Sequence, residues 1–382
     1  MIKTKLSNIG KDIFTVISEL TQDSNIINLA KTSPDFSCSK ELTDLAVKYF
    51  GEGYNQYVHV DGLMELREAV SEKTEKLYGI NYNPQNEITV TAGATQAMFA
   101  AISSFVGEGD EVVLFEPAYS SYVPAIVSNG GRPVFVQLKR PNYYIEWEDV
   151  QKVINSRTKL IIVNTPHNPT GAVFTEEDVA QLRKITNGTK ILVLSDESFE
   201  HLVFDRKTHQ SISGNSQLAE RSIIISSFGK TFSIPGWKIG YCMAPEKLMN
   251  QVRKTNMFQV NSVNAPLQYA LADFLKTNIS YEAIANQYEE KRNLILNHLM
   301  DSRFEIVPSR GTFYQLLDYK AISNEKDTEF ARKIIDNYGV ALFPLSVFYH
   351  DSIDNKIVGL NFARENDILI DACSKLKKIQ IQ

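Results

Sequence analysis

Six short apolar runs mark the first two thirds of the chain: Glu87 to Ala92, Glu111 to Phe115, Lys159 to Asn164, Lys190 to Leu194, Ser222 to Ser226 and Lys238 to Met243. Most are continuous rather than alternating, the pattern of strands that helices cover on both faces. Segments of helical period lie between them, such as Thr95 to Phe105 and Thr175 to Ile185. The second opens on Thr175 as a cap, with Glu176, Glu177 and Asp178 in its first turn. This alternation predicts an α/β fold with a large, doubly wound, mostly parallel sheet. Near Ser280 the rhythm changes. A long helical stretch to Met300 precedes strand candidates at Phe304 to Leu317, Val340 to Phe348 and Lys356 to Ala363, and a helix closes the chain. The pattern predicts a large domain over residues 41–280. The N-terminal segment 1–40 and the C-terminal part 281–382 are expected to form one smaller α+β domain beside it.

Composition narrows the function classes. A net charge of −5 over 382 residues argues against nucleic acid or an anionic membrane as the main partner. Cys38, Cys242 and Cys373 are too scattered for a disulfide framework or a zinc knuckle, and the six histidines show no metal-ligand spacing. No metal is expected. No apolar signal region follows Met1 to Lys5 and no run is long enough to span a bilayer, so a cytoplasmic location is the expectation.

In open α/β sheets the ligand lies beyond the carboxyl ends of the strands, which makes the residues there worth reading as a set. After the first run, Gly93, Ala94 and Thr95 lead straight into a helix, whose free amides and dipole suit a phosphate as well as a plain tight turn. After the second, Glu116 to Tyr122 places aromatics where one ring could stack on a flat heterocycle or pack as core. The third is followed by a cluster of turn formers with Asn168, an amide donor. Asp196 follows the fourth; a carboxylate buried there needs a partner, and a protonated pyridine nitrogen would serve. Lys230 follows the fifth, in Ser226 to Phe232, as a surface lysine or as an amine that loses its proton in a dry pocket and condenses with an aldehyde. Together these groups match the needs of pyridoxal phosphate.

At these motifs the chain resembles the class I/II aminotransferases of the aspartate aminotransferase fold, closest to the methionine and kynurenine aminotransferase branch. The likeness covers nearly the whole chain. It is carried by Asn55-Gln56-Tyr57, Gly62 to Ala69, Thr91 to Ala97, His167 to Gly171, Ser226 to Thr231, Gly236 to Gly240, Gly311 to Phe313 and Pro344 to Phe348. The resemblance implies pyridoxal 5'-phosphate as cofactor, with Lys230 as its Schiff-base lysine and proton shuttle. Asp196 would face the pyridine nitrogen, Asn168 the 3-oxygen and Tyr119 the ring. Gly93, Ala94, Thr95, Ser227 and Lys238 would hold the phosphate. Tyr57 would come from a second subunit, so a homodimer with a shared site is implied, working on an amino donor of methionine or aromatic type and a 2-oxo acid acceptor.

Two departures from the family pattern stand out. Phe199 replaces a tyrosine that donates to the cofactor's 3-oxygen, and Gly359 replaces the arginine that clamps the substrate's α-carboxylate. Arg364, five positions on, needs a bulge or turn to take that arginine's place. Lys31 and Thr32 stand where relatives carry a Gln-Gly pair near the substrate, so Lys31 is either a replacement cation or a solvated lysine. Restoring Gly359→Arg is expected to strengthen α-carboxylate binding by about 1.5–3 kcal/mol. The alternative to ordinary transamination is another pyridoxal phosphate reaction: β-elimination, decarboxylation, oxidation, or transamination of an amine without an α-carboxylate.

Overall fold

All six apolar runs become strands of one sheet, and a seventh strand joins them. In the computed structural model, which describes residues 5–6, 9–22 and 25–379, chain order gives β1 (Ile27–Asn28), β2 (Ile88–Thr91), β3 (Glu111–Glu116), β4 (Arg132–Gln137), β5 (Thr158–Asn164) and β6 (Leu192–Asp196). Then come β7 (Ser222–Ser227), β8 (Gly240–Met243), β9 (Tyr314–Asp318), β10 (Val340–Ala341), β11 (Phe343–Pro344) and β12 (Ile357–Asn361). The segment Met1 to Thr4, part of the stretch without a leader pattern, lies outside the described residues. Among the described residues no helix is long and apolar enough to cross a membrane.

The large sheet runs β2-β8-β7-β6-β5-β3-β4, and only β8 is antiparallel to its neighbours. Its two faces bury alternate residues of the same strand, as the pleat requires. On β3, Val112 and Leu114 pack under the helix Gly93–Phe105, while Val113 and Phe115 join the core on the opposite side. Sequence patterning missed β4. It is the edge strand, half-exposed along most of its length, and Pro133 is tolerated only at such a position. The helix expected after Thr175 runs Glu176–Thr186 with a capping box: the Thr175 amide donates to Asp178 at 2.8 Å, and the Asp178 amide donates back at 3.2 Å.

Beyond the helix Tyr281–Leu299 the expected strands are shorter than the apolar pattern implied. Phe304 to Leu317 yields only β9, because Pro308 and the left-handed Thr312 (φ 66°) break the ladder. Val340 to Phe348 divides into β10, β11 and a 3₁₀ turn at Ser346–Phe348, with Pro344 ending the pairing. β11, β12 and β9 form an antiparallel sheet in which Gly359 faces Phe343 on one side and Leu316 on the other. β1 pairs with β10 in parallel, which brings the N-terminal segment against the last third of the chain.

Candidate active site

A cleft of about 1310 Å³ opens at the carboxyl ends of β2, β3, β5, β6 and β7. Thr91, Gly240 and Ser227 lie side by side across β2, β8 and β7, so the residues following Thr91 and Ser227 emerge at the same edge. Gly93, Ala94, Thr95, Ser227 and Lys238 line one end of the cleft. Gly93 starts the helix Gly93–Phe105 with φ 80°, a conformation that side chains avoid, and the Lys238 Nζ lies 3.8 Å from where a Cβ on Gly93 would be. A Cβ on Gly240 would come within 2.8 Å of the Ala94 nitrogen and the Ser226 carbonyl, so the turn rests directly on β8. Helix amides, a hydroxyl and an ammonium thus converge where a phosphate would be held.

Asp196 ends β6 and lies on the cleft floor. Its Oδ2 accepts from the Tyr122 hydroxyl at 2.8 Å, and its Oδ1 accepts from the Ser198 amide at 3.1 Å and hydroxyl at 2.6 Å. Burial pushes its pKa up, while the Ser198 and Tyr122 bonds pull it down. Asn164 braces the same corner: its Nδ2 donates to the Asp196 carbonyl at 2.8 Å and its Oδ1 accepts from the Asn168 amide at 2.7 Å. Tyr122 and Asn164 were not singled out from sequence. The signal for Tyr122 was its place three residues after Tyr119, whose ring meets it edge-on at 5.4 Å.

Lys230 sits in the single turn Phe228–Thr231 that follows β7. Its Nζ donates to the Thr32 carbonyl at 2.7 Å and lies over the rings of Phe313 (5.1 Å) and Phe199 (5.8 Å). Burial and the nearby Lys238 charge lower its pKa to about 8, against a smaller opposing pull from Asp196. Phe199 is buried edge-to-face against Phe313 at 5.0 Å. Behind these residues Glu200 accepts from Lys73 and Tyr78, each at 2.6 Å, and from Ser226. Burial opposes its charge, yet Lys73 and His201 hold its pKa well below the carboxylate norm. This charged pair joins residues 127 apart in the chain, which no local pattern announces.

Tyr119, Asn168, Lys31 and Thr32 also line the cleft, whereas two candidates do not. Tyr57 is 82% exposed and stands apart from the cleft in the single chain. Arg364 turns back after β12 ends at Asn361, and its guanidinium donates to the carbonyls of Ser33, Ala363 and Lys31. It holds the backbone of that segment instead of opening onto the cleft. Gly359 corrects a further expectation: a Cβ there would lie 2.1, 2.3 and 2.9 Å from carbons of the Phe343 ring. Gly359→Arg alone has no room, so the single substitution cannot restore a carboxylate clamp.

The sheet, its crossover helices and a lysine amine sharing one cleft with a buried carboxylate define an α/β enzyme built for amine chemistry. A family model for class I and II aminotransferases matches residues 24–358. The sequence is 41% identical to the methionine aminotransferase of Escherichia coli K12, covering 99% of this chain and 98% of that one. The kynurenine–oxoglutarate transaminase of Dictyostelium discoideum is 32% identical over 98% of this chain and 95% of its own. Among solved structures, one from Escherichia coli with a methionine aminotransferase function superposes with a TM-score of 0.97 at 41% identity, covering 99% of both chains. N-succinyldiaminopimelate aminotransferase from Mycobacterium tuberculosis gives 0.96 at 32% identity, covering 99% of this chain and all of that one. The chain belongs to the class I and II aminotransferases and has their α/β fold.

Proposed function

We propose that this aminotransferase holds pyridoxal 5'-phosphate in the cleft and moves an amino group from a methionine-like or aromatic amino acid to a 2-oxo acid. The observation that carries the reading is the union, in one cleft, of a Lys230 amine with a lowered pKa, the braced Asp196 carboxylate and an ammonium at a helix N-terminus. The donor set fits the cofactor: Ala94 and Thr95 amides, Ser227 and Lys238 for its phosphate, Asp196 for its ring nitrogen, Asn168 for its 3-oxygen and Tyr119 for its face. Once bound, the cofactor supplies an aldehyde for the amino group and a ring that spreads the charge developed at the substrate α-carbon.

Lys230 then moves the proton from the α-carbon, a task suited to an amine whose pKa lies near 8. Tyr122 and Ser198 keep Asp196 fixed as a hydrogen-bond acceptor, and the rings of Phe199 and Phe313 flank the amine on one side. The methionine aminotransferase relative favours a sulfur-containing or aromatic donor. A homodimer, a cytoplasmic location and a small domain made of residues 1–40 and 281–382 belong to the same proposal. The exposed Tyr57 supports the dimer, since a tyrosine from one subunit would complete the phosphate end of the other's cleft. The test is to load the protein with pyridoxal phosphate and follow 2-oxo acid formation from methionine, phenylalanine and kynurenine with a keto acid acceptor. Absence of turnover with every donor, or turnover that survives Lys230→Ala, overturns the reading.

A further inference from the structure

We infer that Lys31 holds the substrate's carboxylate in this enzyme, in place of a cation on β12. The inference rests on the transamination reading and adds the residue that recognises the donor and acceptor acids.

The position on β12 is closed by packing. Phe343 is wholly buried, its ring in contact with Tyr314 at 5.5 Å, Phe14 at 5.8 Å and Phe348 at 5.8 Å, and it covers the Cα of Gly359. Arg364 is also committed, to the carbonyls of Ser33, Ala363 and Lys31, and it does not line the cleft. A carboxylate that enters the cleft therefore meets neither residue.

The remaining basic side chains of the cleft sort by commitment. Lys11 is paired with Glu19 at 3.1 Å, and His350 with Glu116 at 2.9 Å. Lys230 is the reacting amine and Lys238 lies against the Gly93 turn at the phosphate end. That leaves Lys31, which is exposed at the cleft and whose ammonium makes no hydrogen bond or ion pair among the described residues. It precedes Thr32, the residue whose carbonyl accepts from Lys230 at 2.7 Å. Its own carbonyl accepts from Asn361 at 2.7 Å, so the side chain starts from a fixed point beside the reacting amine. The two uncommitted ammonium groups thus have separate tasks, Lys238 for a phosphate and Lys31 for a carboxylate. A lysine offers a mobile point charge where a guanidinium offers a rigid fork. The site should accordingly accept acids that differ in the separation of amine and carboxylate, at the cost of weaker binding and greater salt sensitivity.

The test compares the cofactor-loaded wild type with Lys31→Gln and Lys31→Arg. Two readouts are taken: the ratio of kcat/KM for methionine to that for 3-methylthiopropylamine, its analogue without the carboxylate, and the Kd of unreactive 3-phenylpropionate. We expect Lys31→Gln to lower the ratio about tenfold or more through KM and to weaken 3-phenylpropionate about tenfold, an effect of about 1.4 kcal/mol. Lys31→Arg should keep both within a few-fold. An unchanged Kd in Lys31→Gln, or an equal loss with both donors, overturns the assignment. If the wild type converts neither donor, the transamination reading falls, and the 3-phenylpropionate Kd still decides on Lys31.

Discussion

Two groups with shifted pKa values set the chemistry of single residues in this cleft. Lys230 has its pKa lowered to about 8, so in the cofactor-free protein its reactive neutral form dominates above that pH and shrinks about tenfold per unit below it. Capture of pyridoxal phosphate by the cofactor-free chain should therefore accelerate from pH 6 to 8 and level off beyond. Stopped-flow absorbance checks this, and a rate still rising steeply between pH 9 and 10 would contradict it. Asp196 depends on Tyr122 in a similar way, because a buried carboxylate that loses a donor is harder to keep charged. Tyr122→Phe should raise the Asp196 pKa further and weaken cofactor binding by about 1–2 kcal/mol, read as a five- to thirtyfold higher Kd in equilibrium dialysis.

At the scale of elements, the strand ends around the cleft were legible in the sequence, and the C-terminal strands were legible in place but not in length or pairing. The runs that end in Asp196, Ser227 and Asn164 are buried on both faces, so apolar continuity followed by a polar residue locates the site directly. β4 escaped because an edge strand carries neither continuity nor clean alternation. β9 to β12 lie in the stretches expected as strands but are shorter, because prolines and a left-handed residue interrupt the apolar pattern, and their pairing escaped because it is set by register. The opposition of Gly359 and Phe343 is a matter of register, which composition does not fix. For the same reason the commitment of Arg364 was not legible, since its partners at Lys31 and Ser33 lie more than 300 residues away. Contact between elements also sets the sensitivity of the phosphate turn. Gly240→Ala places a methyl 2.8 Å from the Ala94 nitrogen and the Ser226 carbonyl. We expect a loss of about 1–3 kcal/mol in stability, with cofactor affinity falling in step. Urea titration with and without cofactor measures both effects, and an unperturbed variant would show that the turn can yield.

On the scale of the whole molecule, the two ends of the chain meet. β1 pairs with β10, Asn361 ties Lys31, and Lys230 reaches across to Thr32, so residues from the start, middle and end of the sequence share one cleft. The outer surface carries apolar residues that a lone chain leaves in water. Phe258 is 87% exposed and Val47 67%, and the Val58 amide donates to Ser262 at 3.2 Å, which ties the Tyr57 turn to the segment just after Phe258. Such a surface fits the proposed dimer contact. Phe258→Glu should shift the protein toward monomer and reduce activity together, as read by sedimentation velocity at matched concentrations; a monomeric wild type would refute the shared site.

The lock between Phe343 and Gly359 also bears on descent. A single change to arginine on β12 meets the aromatic ring, while a single trimming of Phe343 leaves a hole in a core that has lost its filler. Either first step is penalised, and only both together reopen the position. The pair therefore works as a latch on this position, which one substitution at a time does not release.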